Sequence, residues 1–426
     1  MTGQTINQKG LAGILSEFGM EDHLAKWEAG WQASSQSFQE NALHFIQSDY
    51  VDEQCRFLGM DDEMRTEVVA GGELFRRIPT LKPLLWHCHD LAFRQTVPLH
   101  HGVFRNWSPL PDAVDSCAPM FFVYLFLSGI PFTLEMHQKL KIPRHVSVDT
   151  MRDLLVWIEH KLRKTGRWGL DFSQVSWLGL HFTGYLFQLG RLQFDRNNCY
   201  YDFQAFKRMS DGHIVVLAGD GQRFRRDGQF DGANDTTDPN AWKASFQSTD
   251  NAVSGHPLHP EGYAQREAVE LPTAEWHRVL APGDTTIGVH IPGTGPMDFD
   301  QCGNSFGRAL SFWPTHFPEH QVHAFLCTSW LLDPQFEQTL QPDSNIVRFL
   351  REWYLLPLPN TSGRETLRRV FGIQEVDDEK LAALSLNTSL ERAVVRHIQS
   401  GGHWRGHGAV IFPHHMDWGK QVYRQG

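Results

Sequence analysis

The chain has 426 residues, too many for one ordinary hydrophobic core, so two domains are expected. At 41% hydrophobic and 12% aromatic it can bury a sizeable interior. A formal net charge of -10 and a pI near 6.1, with no long block of Lys and Arg, exclude a general nucleic-acid binder, whose phosphate contacts need a basic face.

From Gly10 to about Val97 the pattern is helical, with Leu11, Ile14, Leu15 and Phe18 on one face and Leu81, Leu84, Leu85, Cys88 and Leu91 on another. His87-Cys88-His89 invites a metal reading, but residues two apart on a helix point in different directions, unlike ligand pairs at i, i+4. They read as polar residues flanking a core cysteine, and no metal is expected. Pro98 to Pro119 is a loop-rich connector. The most apolar run, Met120 to Ile130, falls short of the roughly 20 residues a membrane span needs and reads as a buried helix, so no membrane partner is expected. Ser128-Gly129-Ile130-Pro131 is expected to break it, with a shorter helix following. An amphipathic helix with Met151, Leu154, Leu155, Ile158 and Leu162 inward then ends at Thr165-Gly166.

Strands begin only after this. A helix expected from Trp177 runs into a strand from Leu189 to Phe194. Tyr200 to Lys207 and Ile214 to Leu217 form a hairpin about Asp211-Gly212. That change of character separates a helical domain, residues 1–150, from a mixed domain, residues 151–426. Gly219 to Gly262 is polar and glycine-rich, and is expected to be a long, partly mobile surface insertion, either a lid or a passive loop.

The most informative stretch runs from Pro282 to Trp353. It reads as strand (Thr285 to Ile291), glycine loop (Pro292-Gly293-Thr294-Gly295-Pro296), helix (roughly Asn304 to Trp313), strand (Ala324 to Leu332) and helix (roughly Asn345 to Trp353). Alternation sends Ile287, Val289 and Ile291 to one face and Gly288 and His290 to the other, so His290 can face a cleft. A glycine loop ahead of a helix presents backbone N–H groups where an anionic group such as a pyrophosphate can be held. Phe306, Ala309, Leu310 and Trp313 give the helix its apolar face, with Asp300 or Asn304 as its cap. Six cysteines without CxxC pairs and an N-terminus without a basic-then-apolar pattern suggest a reduced, cytoplasmic protein.

The succession Leu189-Gly190-Arg191-Leu192-Gln193-Phe194, Pro282-Gly283-Asp284 leading to Val289-His290-Ile291-Pro292, Cys327-Thr328-Ser329-Trp330-Leu331-Leu332 and Ser344-Asn345-Ile346 resembles a family of bacterial acyltransferase-like proteins. In that family a helical N-acyltransferase N-terminal domain precedes a GNAT-like C-terminal domain with a central mixed sheet. The resemblance covers roughly Gly129 to Trp353. It implies a mixed α/β (α+β) fold and transfer of an acyl group from acyl-CoA, a cosubstrate, to an amine of a small molecule or peptide, with the helical domain supplying one wall of the acceptor site. In one respect the chain departs from GNAT enzymes: where they carry Arg/Gln-x-x-Gly-x-Gly/Ala, it offers only Gly293-Thr294-Gly295.

Such chemistry wants a base near neutrality and a donor to the departing thiolate. His290 is the candidate base, although a lone strand histidine also serves structurally. Ser329 is the candidate donor, and Gly293, Thr294, Gly295 and Ser305 are the candidate cofactor-binding residues, with capping as the other role open to Ser305. Cys327 lies in an apolar strand and is expected to be inert core. Arg191 and Gln193 either face the same cleft or serve across strands. The alternative function is a catalytically inactive protein of the same fold that binds a small ligand or a protein partner in that cleft.

Overall fold

The computed structural model describes residues 10–39, 43–95, 101–111, 118–359, 361–373 and 378–425. His100 and Cys117, both in the expected connector, lie outside them. The chain divides into two compact units between Leu189 and Gly190, so the break lies well beyond the expected 150. Helices continue as far as Val175–Phe182 and pack on the same core as the earlier ones, which is why the change of character came later.

The N-terminal unit is helical up to its last strand, Leu186–Leu189. Its centre is helix α1, Phe121–Lys139, in which every residue from Phe121 to Ile130 is buried. By length and composition α1 is apolar enough to cross a membrane, but most of its apolar stretch is buried inside the protein. The expected break at Pro131 does not occur. Proline cannot donate to the carbonyl four residues back, and that carbonyl, Leu127 O, accepts a hydrogen bond from the Tyr50 hydroxyl at 3.2 Å instead. Gly129 permits a second close fit, because a Cβ there would run into the Phe93 ring.

His87 and His89 lie on the helix Leu81–His89, where their Nδ1 atoms meet Ser34 Oγ at 2.6 Å and Ser128 Oγ at 2.8 Å. His137 Nδ1 meets Ser147 Oγ at 2.9 Å. Burial pushes these imidazoles down to about 4, about 3 and about 4 respectively, so they sit neutral in the core.

The C-terminal unit carries the main sheet. Five of its strands are β1 (Leu192–Asn198), β2 (Thr285–His290), β3 (Phe325–Ser329), β4 (Tyr354–Leu356) and β5 (His407–Ile411), in the order β1-β2-β3-β5-β4. Only β2 and β3 run parallel. Helices α2 (Phe299–His316) and α3 (Asn345–Arg351) belong to one face, where Phe194 and Phe325 meet Phe306 at ring distances of 5.6 and 5.4 Å. On the other face Leu326, Tyr354, Leu356 and Val410 share a core with Phe203, Ala205, Val216 and Leu258 of a second, antiparallel five-stranded sheet. The expected hairpin is in that second sheet, Phe203–Arg208 with Ile214–Ala218, turning at Gly212.

Two expectations are corrected here. The single strand expected from Leu189 to Phe194 is interrupted at Gly190, whose φ of +88° turns the chain. Gly219 to Gly262 is no loose insertion. It holds short strands and buries Phe224, Trp242, Ala244, Val253 and Leu258, with the Phe224 and Trp242 rings 5.3 Å apart. Strands of two to four residues are too short to show a period, so single aromatics among glycine turns concealed a folded segment.

Candidate active site

Both β2 and β3 are held on their outer sides to the end: His290 is opposite Gln193 of β1, and Ser329 is opposite His407 of β5. Between each other they pair only at Ile287–Phe325 and Gly288–Leu326. Beyond that point the two strands no longer pair: Val289 and Cys327 are buried there, His290 and Ser329 are half-buried and Thr328 is exposed. Backbone edges left unpaired in this way are templates for another extended, amide-bearing chain.

Register fixes which side chains share a face. Directly opposed residues point the same way, so His290, Gly288, Gln193 and Asp195 lie on one face, together with Leu326 and Thr328. His290 Nε2 is 3.3 Å from Asp195 Oδ1, with the imidazole about one third exposed (35%) and the carboxylate largely covered (15%). The absence of a side chain at residue 288 permits this pair, since a Cβ there would collide with Asp195 Oδ1. Thr328 Oγ1 is 3.0 Å from the Tyr200 hydroxyl and also bonds that of Tyr201, which donates to Cys327 O at 3.1 Å. Tyr200 is 56% exposed, yet desolvation raises its hydroxyl above the ordinary phenol value, and the Asp195 charge adds to that shift, so it stays protonated at neutral pH.

The loop after β2 is exposed from Gly293 to Pro296. The Arg191 guanidinium donates to three of its carbonyls, Pro292 O, Gly295 O and Pro296 O, each at 2.9 Å. Helix α2 begins at Phe299, five residues earlier than expected, with Asp298 rather than Asp300 or Asn304 as its cap; Asp298 accepts from Gln301 N at 2.8 Å. The glycine loop is therefore separated from its helix by little more than Pro296-Met297. The Asp298-x-x-Gln301 spacing was the available signal.

Of the expected site residues, the structure brings His290 to the open end of the sheet, with Gly293, Thr294 and Gly295 in the loop directly after it. Ser329 is on the opposite face from His290, and its Oγ accepts from Leu331 N at 3.1 Å, capping the short turn Trp330–Leu332. The hydroxyl on the face of His290 belongs to Thr328. Ser305 is fully buried; its hydroxyl donates to Gln301 O at 2.8 Å and accepts from the backbone N–H groups of Arg191 (2.8 Å) and Leu192 (3.3 Å), so it secures the start of β1 and has nothing left for a phosphate. Cys327 is core, its thiol pushed up to about 12 by burial. Asp195, Thr328, Tyr200 and the loop-holding role of Arg191 were missed. Among the described residues, no three His, Cys, Asp or Glu side chains gather as a metal ion would need.

Comparison with known proteins adds to this geometry. Residues 186–411 match the model of the GNAT-like C-terminal domain, and residues 49–184 match that of the N-acyltransferase N-terminal domain. No curated protein matches the chain. Among solved structures, an acyltransferase in complex with decanoyl-CoA and teicoplanin is similar over 94% of this chain and 98% of its own, at 23% identity and a TM-score of 0.62. A mutant acyltransferase in complex with octanoyl-CoA has the same coverage and identity, with a TM-score of 0.61. An acyltransferase in complex with decanoyl-CoA is similar over 86% of this chain and 89% of its own, at 26% identity and a TM-score of 0.57. The expected fold, a helical region followed by a mixed-sheet GNAT-like domain, is the one observed.

Proposed function

We propose, for a chain that belongs to the GNAT-like C-terminal domain family and carries an N-acyltransferase N-terminal domain, the transfer of an acyl group from acyl-CoA to an amine of a small molecule or peptide. The observation that carries this reading is the parting of β2 and β3 beside the His290–Asp195 pair. The pantetheine arm of a CoA thioester is extended and bears two amides, so it suits the strand edges left unpaired there. Solved structures of similar fold hold octanoyl-CoA and decanoyl-CoA, which supports a medium-chain donor. One of them also holds teicoplanin, which supports an amine-bearing acceptor of peptide character.

In this reading the amine attacks the thioester carbonyl, the C–N bond forms and the C–S bond breaks. His290, whose Nε2 lies 3.3 Å from Asp195 Oδ1, takes the proton from the attacking nitrogen. Asp195 balances the charge that develops on the ring, the part a carboxylate plays behind a catalytic histidine. Tyr200, kept protonated and linked to Thr328, is the donor to the departing thiolate. The test is a calorimetric titration with decanoyl-CoA, followed by an assay of CoA thiol release with an amine acceptor. Saturable binding is expected, and His290→Ala should slow transfer by about two to four orders of magnitude while leaving binding nearly intact. Absence of binding at millimolar concentration would refute the reading.

A further inference from the structure

The GNAT loop pattern places Arg or Gln three residues before its first glycine, and here that place is held by His290. The guanidinium comes from elsewhere in the chain. Arg191, just ahead of β1, reaches across and takes three carbonyl oxygens of the loop at once, those of Pro292, Gly295 and Pro296. Its own backbone N–H is fixed by the buried Ser305 hydroxyl, so the fork is aimed from a rigid base.

Peptide geometry then settles where the amides go. In a planar trans unit the N–H points opposite to the C=O. Drawing in the oxygens of Pro292 and Pro296 therefore turns out the N–H groups of Gly293 and Met297, while the unit between Gly295 and Pro296 has no N–H to present. The first turn of α2 is a poor alternative for an anion. Asp298 already occupies the Gln301 amide, and Asp300 adds a second carboxylate whose nearest cation, Arg348, is 3.9 Å away.

We propose that Arg191 is the positioning residue of this loop, and that the diphosphate of acyl-CoA is met by the Gly293 and Met297 amides that Arg191 turns outward, in place of the loop's missing Arg or Gln. This deepens the acyl-CoA reading above and rests on it. Three protein forms, the wild type, Arg191→Ala and Arg191→Lys, are titrated with decanoyl-CoA and with S-decanoyl-pantetheine, which keeps the thioester and amides but lacks the diphosphate. Wild type should bind decanoyl-CoA more tightly than the pantetheine ester. Both variants should lose about 10- to 100-fold for decanoyl-CoA, as expected for several charge-assisted hydrogen bonds, and less than about twofold for the pantetheine ester. In turnover the loss should appear in KM, with kcat falling far less.

Lysine keeps the stem and the charge but not the planar fork, so it decides the matter if the alanine variant does not fold. Unchanged decanoyl-CoA affinity, equal weakening of both ligands, or a wild type indifferent to the diphosphate each overturns the proposal. A wild type that binds neither ligand overturns the acyl-CoA reading itself.

Discussion

Replacing Asp195 with asparagine keeps the shape of the side chain and removes the charge that faces His290 Nε2 at 3.3 Å. At that distance a unit charge pair is worth roughly 1 kcal/mol in water and roughly 5 kcal/mol at the effective dielectric typical of protein sites. Because the imidazole is 35% exposed, the lower part of that range applies, about 1–3 kcal/mol. This charge matters only once His290 has accepted a proton, so the loss should fall on kcat, by about 10- to 100-fold. Affinity for decanoyl-CoA should stay within about twofold. A second route to the same defect is Gly288→Ala, whose methyl group would occupy the space of Asp195 Oδ1 and force the carboxylate aside. Since both changes break one contact, the double variant should be no slower than the worse single one. The assay is thiol release at saturating donor, with binding measured separately. Wild-type kcat in Asp195→Asn, or multiplicative losses in the double variant, would refute the assignment of Asp195 as the partner of the base.

Ser329→Ala should leave kcat within about twofold, because this hydroxyl caps Leu331 N on the face away from His290, whereas Thr328→Val, which removes one of the two hydroxyls bonded to Tyr200, should lower kcat measurably in the same assay. Tyr50→Phe should destabilise the helical unit by about 1–3 kcal/mol, read as a lower denaturation midpoint, since it strips the donor from the carbonyl that Pro131 leaves unpaired. His87, His89 and His137 are held by burial at about 4, about 3 and about 4, below the 6.5 of an exposed imidazole. Above pH 6.5 they are neutral whether folded or not; below it only the unfolded chain gains the protons. Stability should thus fall from pH 6.5 towards 4, by roughly 2 kcal/mol per histidine between pH 7 and 5, and equal denaturation midpoints at those two pH values would contradict their neutral burial. Gly295→Val should weaken decanoyl-CoA binding at least about tenfold, because residue 295 has φ of +141°, which a β-branched side chain resists even though open space surrounds it; unchanged affinity in calorimetry would remove this loop from the cofactor site.

Much of the C-terminal fold could be read directly, because its elements repeat a clear period. Alternation in Thr285 to Ile291 placed His290 away from the apolar trio, and the i, i+3, i+4, i+7 face of α2 was real: Phe306, Ala309 and Trp313 are buried. The site was harder because it depends on register, which a single strand does not encode. Thr328 and Ser329 are adjacent hydroxyls at the end of one strand, and only the Gly288–Leu326 pairing decides that Thr328 shares the face of His290. Asp195 was invisible for a related reason: a charged residue after Leu192-Gln193-Phe194 looks like the end of a strand, yet β1 stays paired with β2 as far as Asn198, with Gly288 opposite Asp195 and the carboxylate lying across that glycine to reach His290. The helix boundary at Pro131 failed on a contact 77 residues away in sequence, which no local rule contains.

These contacts also explain why β1 matters more than its short, half-polar sequence suggests. Arg191, just before it, fixes the loop that follows β2; Asp195, within it, fixes the histidine that ends β2. The two act on consecutive parts of one chain, His290 and Pro292 to Pro296, from a strand that is antiparallel to β2 along its whole length. The proposed cofactor loop and the proposed base are thus set by a single ladder, anchored at its start by the buried Ser305 hydroxyl on α2. A disturbance of that anchor should reach both functions at once. Ser305→Ala removes the acceptor for the Arg191 and Leu192 amides without adding bulk at this buried position, so it should weaken decanoyl-CoA binding and lower kcat together, a pattern that neither Arg191→Lys nor Asp195→Asn should give alone. If Ser305→Ala folds and changes only one of the two, loop and base are positioned independently and the common role given to β1 is wrong.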